Sequence, residues 1–322
     1  MGLRRRIAAA AAAFLSLGLV ACRRPTAVTV PIASWPGYEY FHLAHARQLD
    51  KAAGLSLTPL VYPDPQDIVK AFEQGRISLA QLTTVEVVDL CSRLPKRCPV
   101  VVLILDESRG GDKLAVRRSL GSIDGLRGQR VGVTPTTLGP YVLSRALASR
   151  GMTLADVRIV PLPLADMGRR LASGEIEAAA FFPPFSDAVL ADGTAVEVFN
   201  SSRTPGEIFD VLVVDRAFYR DNPATIAALL RLWQQAHDLA RRDPSAVALM
   251  AEREGVSPAV FRESERGLVY RSLQQQKPLL APGGLLQRNL AAVQTVQKQL
   301  GMISGSAVLP AVSDTALRQA LQ

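Results

Sequence analysis

Two periods of apolar residues alternate along the chain. Short apolar runs separated by turn residues predict strands, and segments with apolar residues at helical spacing predict helices. The predicted strands are 28–33, 56–61, 78–82, 100–105, 130–133, 157–160, 178–182 and 211–214. The predicted helices are 40–53, 64–74, 85–92, 139–150, 165–173, 184–191, 223–241, 244–254 and 285–300. Strands that alternate with helices of this length predict βαβ units and mainly parallel sheets flanked by helices.

Two polar, glycine-containing segments interrupt this alternation, at 106–116 and 200–214. They bracket about 100 residues, as the two chain crossings of an inserted lobe would, because small and turn residues absorb the backbone rotation of lobe closure. We therefore predict an α/β fold of two lobes. Lobe 1 is discontinuous and comprises residues 28–110 and 205–322, and lobe 2 comprises residues 111–204.

The first 21 residues have the pattern of a secretory signal, with Arg4, Arg5 and Arg6 followed by an apolar stretch that is short for a spanning helix. The stretch ends in Leu19-Val20-Ala21-Cys22, which resembles the lipobox of bacterial lipoproteins. That resemblance implies cleavage before Cys22, a lipid on its thiol and a tether at residues 22–27. The alternative is an ordinary signal peptide followed by a cysteine that carries no lipid.

The composition narrows the class of protein. With 48% hydrophobic and 20% charged residues, the 322-residue chain has too much apolar material for a disordered protein. Only the leader is apolar enough to contact a bilayer, which excludes a polytopic membrane protein. The net charge of +8 comes largely from scattered arginines, three of them in the leader. A nucleic-acid-binding protein needs a clustered basic face, so we predict no nucleic-acid partner.

Export to an oxidising compartment changes the interpretation of the two remaining cysteines. Cys91 and Cys98 flank a polar stretch, and in an oxidising compartment such a pair is expected to form a disulfide. Two free thiols are the alternative; zinc fits poorly, because no nearby histidine or second cysteine pair completes four ligands. Glu39, His42 and His45 share a predicted helix but have no further ligand cluster, which favours solvated or capping residues. We predict no metal and no cofactor.

Several motifs together resemble one family. They are Trp35-Pro-Gly-Tyr38, the segment 108–116, the segment 126–133, the segment 174–178 and the segment 205–214. In this order they are similar to the nitrate/sulfonate/taurine-type substrate-binding proteins of ABC importers, over nearly all of residues 28–270. The resemblance implies a type II periplasmic-binding fold. It also implies a ligand in the cleft between the lobes and a closed form that is presented to a membrane permease.

The ligand site is expected beyond the carboxyl ends of the strands, where open α/β sheets bind ligands. Trp35 and Tyr38 would wall a small ligand, the alternative being packing at a lobe edge. Thr134 and Thr136 precede a helix whose free N–H groups favour an anionic group, the alternative being an ordinary N-cap. The predicted ligand-binding residues are Ser34, Trp35, Tyr38, Thr84, Glu86, Asp112, Thr134, Thr136, Phe185 and Asp210.

Three of these residues are acidic: Glu86, Asp112 and Asp210. In taurine-type members of the family an acidic residue in the cleft pairs with the ligand's amino group. Because buried charges need partners, cleft carboxylates favour a cationic or zwitterionic solute. The alternative is that Asp112 and Asp210 only fix the hinge. The family often has Glu-Pro where this chain has Pro183-Pro184, which removes one polar contact and argues against taurine itself.

No catalytic motif is present: the chain has neither a phosphate-binding loop, nor a nucleophile elbow, nor a dinucleotide fingerprint. Enzymes related to this family, a thiamine-pyrimidine precursor synthase and menaquinone-pathway enzymes, are an alternative that requires a cytoplasmic chain without a leader. A membrane kinase's sensor lobe would need a spanning helix downstream. We predict a monomeric, non-enzymatic binding protein outside the cytoplasm, lipid-anchored to a membrane. Its partners would be a small solute and ABC permease subunits in the inner membrane.

Overall fold

The computed structural model describes residues 25–304 and 308–322. The predicted signal segment and the predicted lipidation site Cys22 lie outside these residues. Within them the strands are β1 Thr26–Ile32, β2 Leu55–Val61, β3 Leu79–Thr83, β4 Val100–Ser108, β5 Lys113–Arg117, β6 Arg130–Val133, β7 Arg158–Pro161, β8 Ala178–Phe181, β9 Ala195–Asn200, β10 Phe209–Val214, β11 Leu268–Val269 and β12 Ala311–Val312.

The helices flank the sheets and are more numerous toward the end of the chain. They are α1 Glu39–Ala46, α2 Leu49–Ala52, α3 Pro65–Glu73, α4 Thr84–Arg93, α5 Leu138–Ala148, α6 Leu164–Ser173, α7 Phe185–Ala191, α8 Arg216–Asp221, α9 Pro223–Arg242, α10 Pro244–Glu254, α11 Pro258–Glu265, α12 Leu273–Leu280, α13 Leu285–Gln299 and α14 Thr315–Ala320. Over residues 25–304 and 308–322, none of the helices combines the length and the apolar character needed to span a bilayer.

Lobe 1 contains two sheets. Strands β1 and β2 pair in parallel, and a second sheet has the order β11-β4-β10-β3, with β12 paired in parallel to β4. Strand β10 is antiparallel to both of its neighbours. Because Thr26 and Ala27 already pair with β2, the predicted tether at residues 22–27 is two residues too long.

Lobe 2 contains one sheet with the order β7-β6-β8-β5-β9. Strand β6 is parallel to both neighbours, whereas β5 is antiparallel to both of its neighbours. We call residues 109–112, between β4 and β5, the first crossing, and residues 201–208, between β9 and β10, the second crossing. The sheets are therefore mixed rather than mainly parallel. Strands β5 and β10 each follow directly on a crossing. Neither crossing, as the structure describes it, contains an α-helix that would carry the chain back across the sheet and make the strand parallel to its neighbours.

Local chemistry explains the other differences from the predicted elements. The predicted helix 40–53 is two helices, because Gln48 has a φ of 55°, a left-handed conformation that a right-handed helix cannot include. Strand β4 continues past its apolar run because Asp106 and Glu107 pair with β10. Strands β5 and β9 were not predicted, since the apolar run of β5 between Lys113 and Arg117 is only three residues long and β9 has the exposed Glu197 at its centre.

Cys91 in α4 and Cys98 just before β4 form a disulfide, as predicted. Both residues are fully buried. The bond holds the end of α4 against the start of β4. This helix and this strand carry groups that shape the region between the lobes, which is described next.

Candidate ligand-binding site between the lobes

A small cavity lies where lobe 1, lobe 2 and the two crossings meet. Its walls are formed by Ala33, Ser34, Trp35, Tyr38, Pro65, Thr83, Glu86, Asp112, Thr134, Thr136, Leu138, Phe182 and Asp210. The space open to the centres of water molecules is about 20 Å³. One buried water needs roughly 10–15 Å³ by this measure. The cavity in this conformation therefore holds little more than one water, and a larger solute has to enter with the lobes further apart.

The first aromatic wall is fixed from behind by two carboxyl groups. The indole Nε1 of Trp35 donates a hydrogen bond to Oδ2 of Asp106 over 3.1 Å, and the hydroxyl of Tyr38 donates one to Oδ1 of Asp210 over 2.5 Å. Between them, a Cβ on Gly37 would stand 1.8 Å from Oδ2 of Asp106, so this loop position requires glycine. Both rings are thereby held in place before any ligand enters.

Trp35 also contacts the opposite lobe. Its ring meets Phe182 edge to face, with 5.6 Å between the ring centroids. Phe182 follows β8 in lobe 2, so the pair closes the cavity from both sides. Trp35 and Tyr38 are each only 5% exposed, which means that the aromatic wall faces the cavity and not bulk water.

Glu86 has a structural role as well as a place in the cavity. Its Oε2 accepts hydrogen bonds from the backbone N–H and from the hydroxyl of Thr83, each over 3.0 Å, and the Thr83 hydroxyl in turn accepts one from the Glu86 N–H. This capping box starts α4. Burial raises the pKa of Glu86 from 4.5 to about 7, although the Thr83 hydrogen bonds oppose the change.

Asp210 and Asp106 face each other across β10 and β4. Burial raises the pKa of Asp106 to about 7 and holds the pKa of Asp210 well above its usual range, where repulsion by Asp106 adds to the effect. Oδ1 of Asp106 and Oδ2 of Asp210 have no hydrogen-bond partner among the described residues. Arg271 opposes the rise for Asp106 but is ion-paired with Glu107.

Asp112 adds a third carboxyl group to the cavity wall. It ends the first crossing, is 2% exposed, and its N–H donates to Oγ of Ser108 over 3.1 Å. Burial raises its pKa from 3.8 to about 6. Of the described residues, the cavity wall contains no lysine, arginine or histidine, so its charged groups are all acidic.

The lobe 2 wall is polar but uncharged. The hydroxyls of Thr134 and Thr136 lie 3.0 Å apart just before α5. The residue that precedes α5, Thr137, makes no side-chain capping bond, and its buried hydroxyl has no partner among the described residues. An ordinary N-cap therefore does not account for these threonines. The free N–H groups at the start of α5 lie beside the two hydroxyls that face the cavity.

A wider depression adjoins the cavity and shares Glu86 and Thr136 with it. Its remaining walls come from α3, α4 and the loop before α5 and include Lys70 and Arg93. Both cations are already paired, Lys70 with Asp67 and Arg93 with Asp89 and Glu73. The cationic groups of this depression are therefore neutralised by ion pairs and do not offset the acidic groups of the cavity.

Eight of the ten predicted ligand-binding residues line the cavity. Thr84 does not, because it is fully buried and its hydroxyl accepts a hydrogen bond from the Phe209 N–H. Phe185 does not, because it begins α7 and packs against the apolar core. Asp210 lies within β10 and not in the second crossing, where it was expected.

Five residues of the wall, and the carboxyl group behind it, were not among the predicted ligand-binding residues. The missed wall residues are Ala33, Pro65, Thr83, Leu138 and Phe182. Thr83 and Phe182 stand next to the predicted Thr84 and near the predicted Phe185, so an exact strand end would have identified them. The missed carboxyl group is Asp106, which ended the predicted strand instead of continuing it.

The histidines of the predicted helix do not take part in this site. Nδ1 of His45 lies 3.2 Å from Oδ2 of Asp50, outside the cavity. Over residues 25–304 and 308–322, no three histidine, cysteine or acidic side chains are grouped as a metal site requires. The arrangement between the lobes can bind and orient a small solute through aromatic contact, carboxyl groups and hydroxyls.

The sequence matches one protein-family model and is similar to several known binding proteins. Residues 24–254 match the model of the NMT1-like family. The taurine-binding periplasmic protein of Escherichia coli (strain K12) is 24% identical over 263 residues, which cover 78% of this chain and 80% of that protein. A match at 23% identity to a putative binding protein of Brucella abortus (strain 2308) covers 47% of this chain and only about half, 48%, of that protein.

Solved structures share the fold at low identity. The alkanesulfonate-binding protein from Xanthomonas axonopodis pv. citri bound to MOPS aligns with a TM-score of 0.72 at 17% identity, covering 89% of this chain and 97% of that one. A desulfurization enzyme aligns with a TM-score of 0.65 at 19% identity, covering 92% and 99%. These likenesses establish the two-lobed fold alone. The resemblance noted in the sequence is confirmed.

Proposed function

The chain belongs to the NMT1-like family, and on this premise we propose that it is the solute-binding component of an ABC importer. It captures a small solute between its lobes and delivers it to a membrane permease, with no catalytic step of its own. The binding proteins for taurine and alkanesulfonates that the chain resembles support this proposal.

The observation that carries the proposal is the shared construction of the cavity. Trp35 and Glu86 from lobe 1, Thr136 and Phe182 from lobe 2, and Asp112 from the first crossing all face one space. A solute that contacts both lobes stabilises the closed form relative to the open form, because the open form lacks half of these contacts. Closure on binding is the signal that a permease can recognise.

The charge of the cavity indicates the class of solute. Three carboxyl groups line it without any cationic side chain from the described residues. Burial raises their pKa values, so they are partly protonated in the empty cavity, and a cationic solute would pair with them as they ionise. An amine fits beside Asp210, whose Oδ2 has no partner. The threonine hydroxyls and the start of α5 suit an anionic group at the other end. The solute is therefore a small amine, cationic or zwitterionic.

An enzymatic role has less support. The fold alone does not separate binding proteins from enzymes, since a desulfurization enzyme shares it. However, the described wall contains neither a cysteine nor a histidine that could serve as nucleophile or base. One oxygen of Asp210 accepts from Tyr38, one oxygen of Glu86 holds the start of α4, and Asp106 behind the wall accepts from Trp35. These contacts favour orientation of a charged solute over chemistry.

The cellular setting is part of the same proposal. The Leu19-Val20-Ala21-Cys22 sequence supports export and lipid attachment at Cys22, so that the protein acts outside the cytoplasm. We propose that it acts there as a monomer. The tether keeps it close to permease subunits in the inner membrane. Several acyl chains, as bacterial lipoproteins carry, give stable anchoring where a single chain gives only reversible binding.

A matched set of solutes tests the proposal. Titration calorimetry compares 3-aminopropanoate, propanoate and ethylammonium, which differ only in the charged groups at each end. We expect the two amines to bind and propanoate to fail, with small-angle scattering showing compaction only when an amine binds. Asp210→Asn should weaken amine binding at least tenfold. Tighter binding of propanoate than of either amine would contradict the charge assignment, and the absence of compaction would contradict closure.

A further inference from the structure

A second concave surface lies on lobe 1, behind the loop that carries Trp35 and Tyr38. Helices α1, α9 and α11 and the segment around β11 form its walls. The wall residues are Tyr40, His237, Ala240, Arg241, Arg262, Glu265, Arg266, Leu268, Val269 and Tyr270. None of them lines the cavity between the lobes. The space open to the centres of water molecules is about 440 Å³, so the surface admits an organic molecule without rearrangement.

Aromatic rings form one side of this surface. Tyr40 meets Tyr270 edge to face at a centroid distance of 5.3 Å, and His237 lies 5.3 Å from Tyr40 and 5.1 Å from Tyr270. Behind them, the indole of Trp233 stacks on the His237 ring at 5.5 Å. The rings hold one another in a fixed arrangement, so a flat apolar group that packs on them would not have to order them first.

Positive charge dominates the opposite side. Arg241 and Arg262 are exposed, and within the described chain neither makes a hydrogen bond or an ion pair. Arg266 is different, since it pairs with Glu263 over 2.7 Å. Two guanidinium groups without partners beside an apolar wall are suited to a carboxylate or a sulfonate, which each can bind through two parallel N–H groups.

The one carboxylate of the surface is already engaged. Oε1 of Glu265 accepts hydrogen bonds from the hydroxyls of Tyr40 over 2.9 Å and of Tyr270 over 3.4 Å. It therefore ties the two tyrosines together. Burial raises the pKa of this carboxyl group and Arg262 opposes the rise, so Arg241 is the guanidinium that the carboxylate of this wall does not offset. The buried Nδ1 of His237 has no hydrogen-bond partner among the described residues, and Oδ1 of Asp238 lies 3.9 Å from it.

We propose that this surface is a second binding site, selective for an organic anion that joins a carboxylate or sulfonate to a flat apolar body. The ring of the ligand packs on Tyr270, which the buried rings of Tyr40 and His237 hold in place, and its anionic group pairs with Arg241 and Arg262. The site has the opposite charge preference to the cleft. It depends on residues that the cleft does not use, so neither proposal depends on the other.

Titration calorimetry of the full mature protein with benzoate tests this site. We expect saturable binding of benzoate. Two probes lack one half of the proposed ligand: benzyl alcohol has the ring without the charge, and acetate has the charge without the ring. Each should bind at least tenfold more weakly than benzoate. The Arg241→Gln/Arg262→Gln double variant should weaken benzoate binding at least tenfold.

A control double variant, Arg150→Gln/Arg158→Gln, removes the same charge from exposed, unpaired arginines of lobe 2 and should leave benzoate binding unchanged. Asp210→Asn, which acts only in the cleft, should also leave it unchanged. In Trp35→Phe protein, Trp233 is the sole remaining tryptophan and its emission should change with benzoate occupancy. The proposal is overturned if no saturable binding occurs, if acetate binds as tightly as benzoate, or if the lobe 2 control has the larger effect.

Discussion

Trp35 donates its indole N–H to a carboxyl oxygen of Asp106, and this hydrogen bond joins the first loop of the chain to the strand that leaves lobe 1. Gly37 makes the bond possible, because any side chain at that position would collide with the same oxygen. The aromatic wall of the cleft is thus attached to β4, which continues directly into the first crossing. A change in this bond should therefore affect binding before it affects folding.

Two replacements of Trp35 distinguish the contribution of its apolar contact area from that of its hydrogen bond to Asp106. Trp35→Ala removes a buried ring that packs on Phe182, and we expect a loss in solute affinity on the order of 1–3 kcal/mol. Trp35→Phe keeps most of the apolar contact and loses the hydrogen bond to Asp106, so the loss should be about 1 kcal/mol. Calorimetry measures both, with thermal unfolding as the control for stability. Equal losses in the two variants would contradict a role for the indole body.

Solute affinity and the stability of the ligand-free protein should change in opposite directions with pH. Burial raises the pKa of Glu86 from 4.5 to about 7 and that of Asp112 from 3.8 to about 6. Raised carboxyl pKa values favour the protonated folded state, so this stability is present at low pH and lost as pH rises through 6–7. An amine, in contrast, needs ionised carboxylates.

We therefore expect a higher melting temperature at pH 5.5 than at pH 8 for the ligand-free protein, and tighter amine binding at pH 8. Calorimetric titrations and thermal melts across this range provide the measurement. Glu86→Gln is the matched control, because glutamine preserves the capping box of α4 while removing the titrating group. If that variant shows the same pH dependence as the native chain, Glu86 has no part in the effect.

A contact between the lobes beside the cleft predicts a closure defect. The hydroxyl of Ser264, on α11 of lobe 1, donates to Asp187, on α7 of lobe 2, over 2.6 Å, and Lys113 pairs with the other oxygen of Asp187 over 2.9 Å. Ser264→Ala removes the link between the lobes without unpairing Asp187 from Lys113. We expect solute affinity to fall severalfold and scattering to show a more open ligand-free ensemble.

Ser149→Ala is the matched control for this change. The Ser264 hydroxyl also donates to the carbonyl of Val260 in its own helix. The Ser149 hydroxyl likewise donates to the carbonyl of Ala146, three residues earlier, and makes no hydrogen bond to lobe 1 within the described residues. Ser149→Ala should alter neither affinity nor the scattering profile. A similar loss of affinity in both serine variants would argue for a general effect of hydroxyl removal and against a contact that favours closure.

Loss of the disulfide should lower stability with little effect on binding. Cys91 and Cys98 close a short loop, for which the chain-entropy model gives roughly 2–3 kcal/mol. The Cys91→Ser/Cys98→Ser protein should unfold at lower denaturant concentration while retaining solute affinity under native conditions. Mass spectrometry of the unreduced native protein should find no free thiol at either position. Quantitative alkylation without a reductant would exclude the bond.

The proposed tether predicts membrane release. Cys22→Ser removes the thiol that would carry lipid, so the exported protein should leave the membrane fraction or remain unprocessed. Detergent-phase partitioning and the mass of the mature chain provide the measurement. Association with membranes that still requires detergent in the Cys22→Ser protein would contradict lipid attachment at this residue.

The sequence alone predicts those strands and helices whose bounds are determined by their local residue pattern. Strand β6 was predicted with its observed bounds, and α10 likewise, because local apolar spacing and a terminal proline or glycine decide both. Most of the cleft wall was also predictable, since loops beyond strand ends converge in this class of fold. Trp35 and Thr134 could be assigned to the wall in this way.

The remaining features depend on contacts between distant segments. Asp106 continues β4 only because β10, a hundred residues later, pairs with it. The reversed direction of β5 follows from the route of the chain between lobes, which local periodicity does not encode. Thr84 and Phe185 were misplaced for a related reason, because a shift of one to three residues at a strand end decides which side chain reaches the cavity.

Strand β10 lies between β3 and β4, although it follows them by about a hundred residues. During synthesis or export, the part of lobe 1 that emerges first must therefore wait for a strand that has not yet appeared. Every strand described for lobe 2 lies between residues 113 and 200, so that lobe can complete its sheet earlier. Lobe 2 can therefore complete its sheet before lobe 1, although lobe 1 begins first in the chain. A chain cut after residue 200 would contain all strands of lobe 2 but would lack β10 of lobe 1.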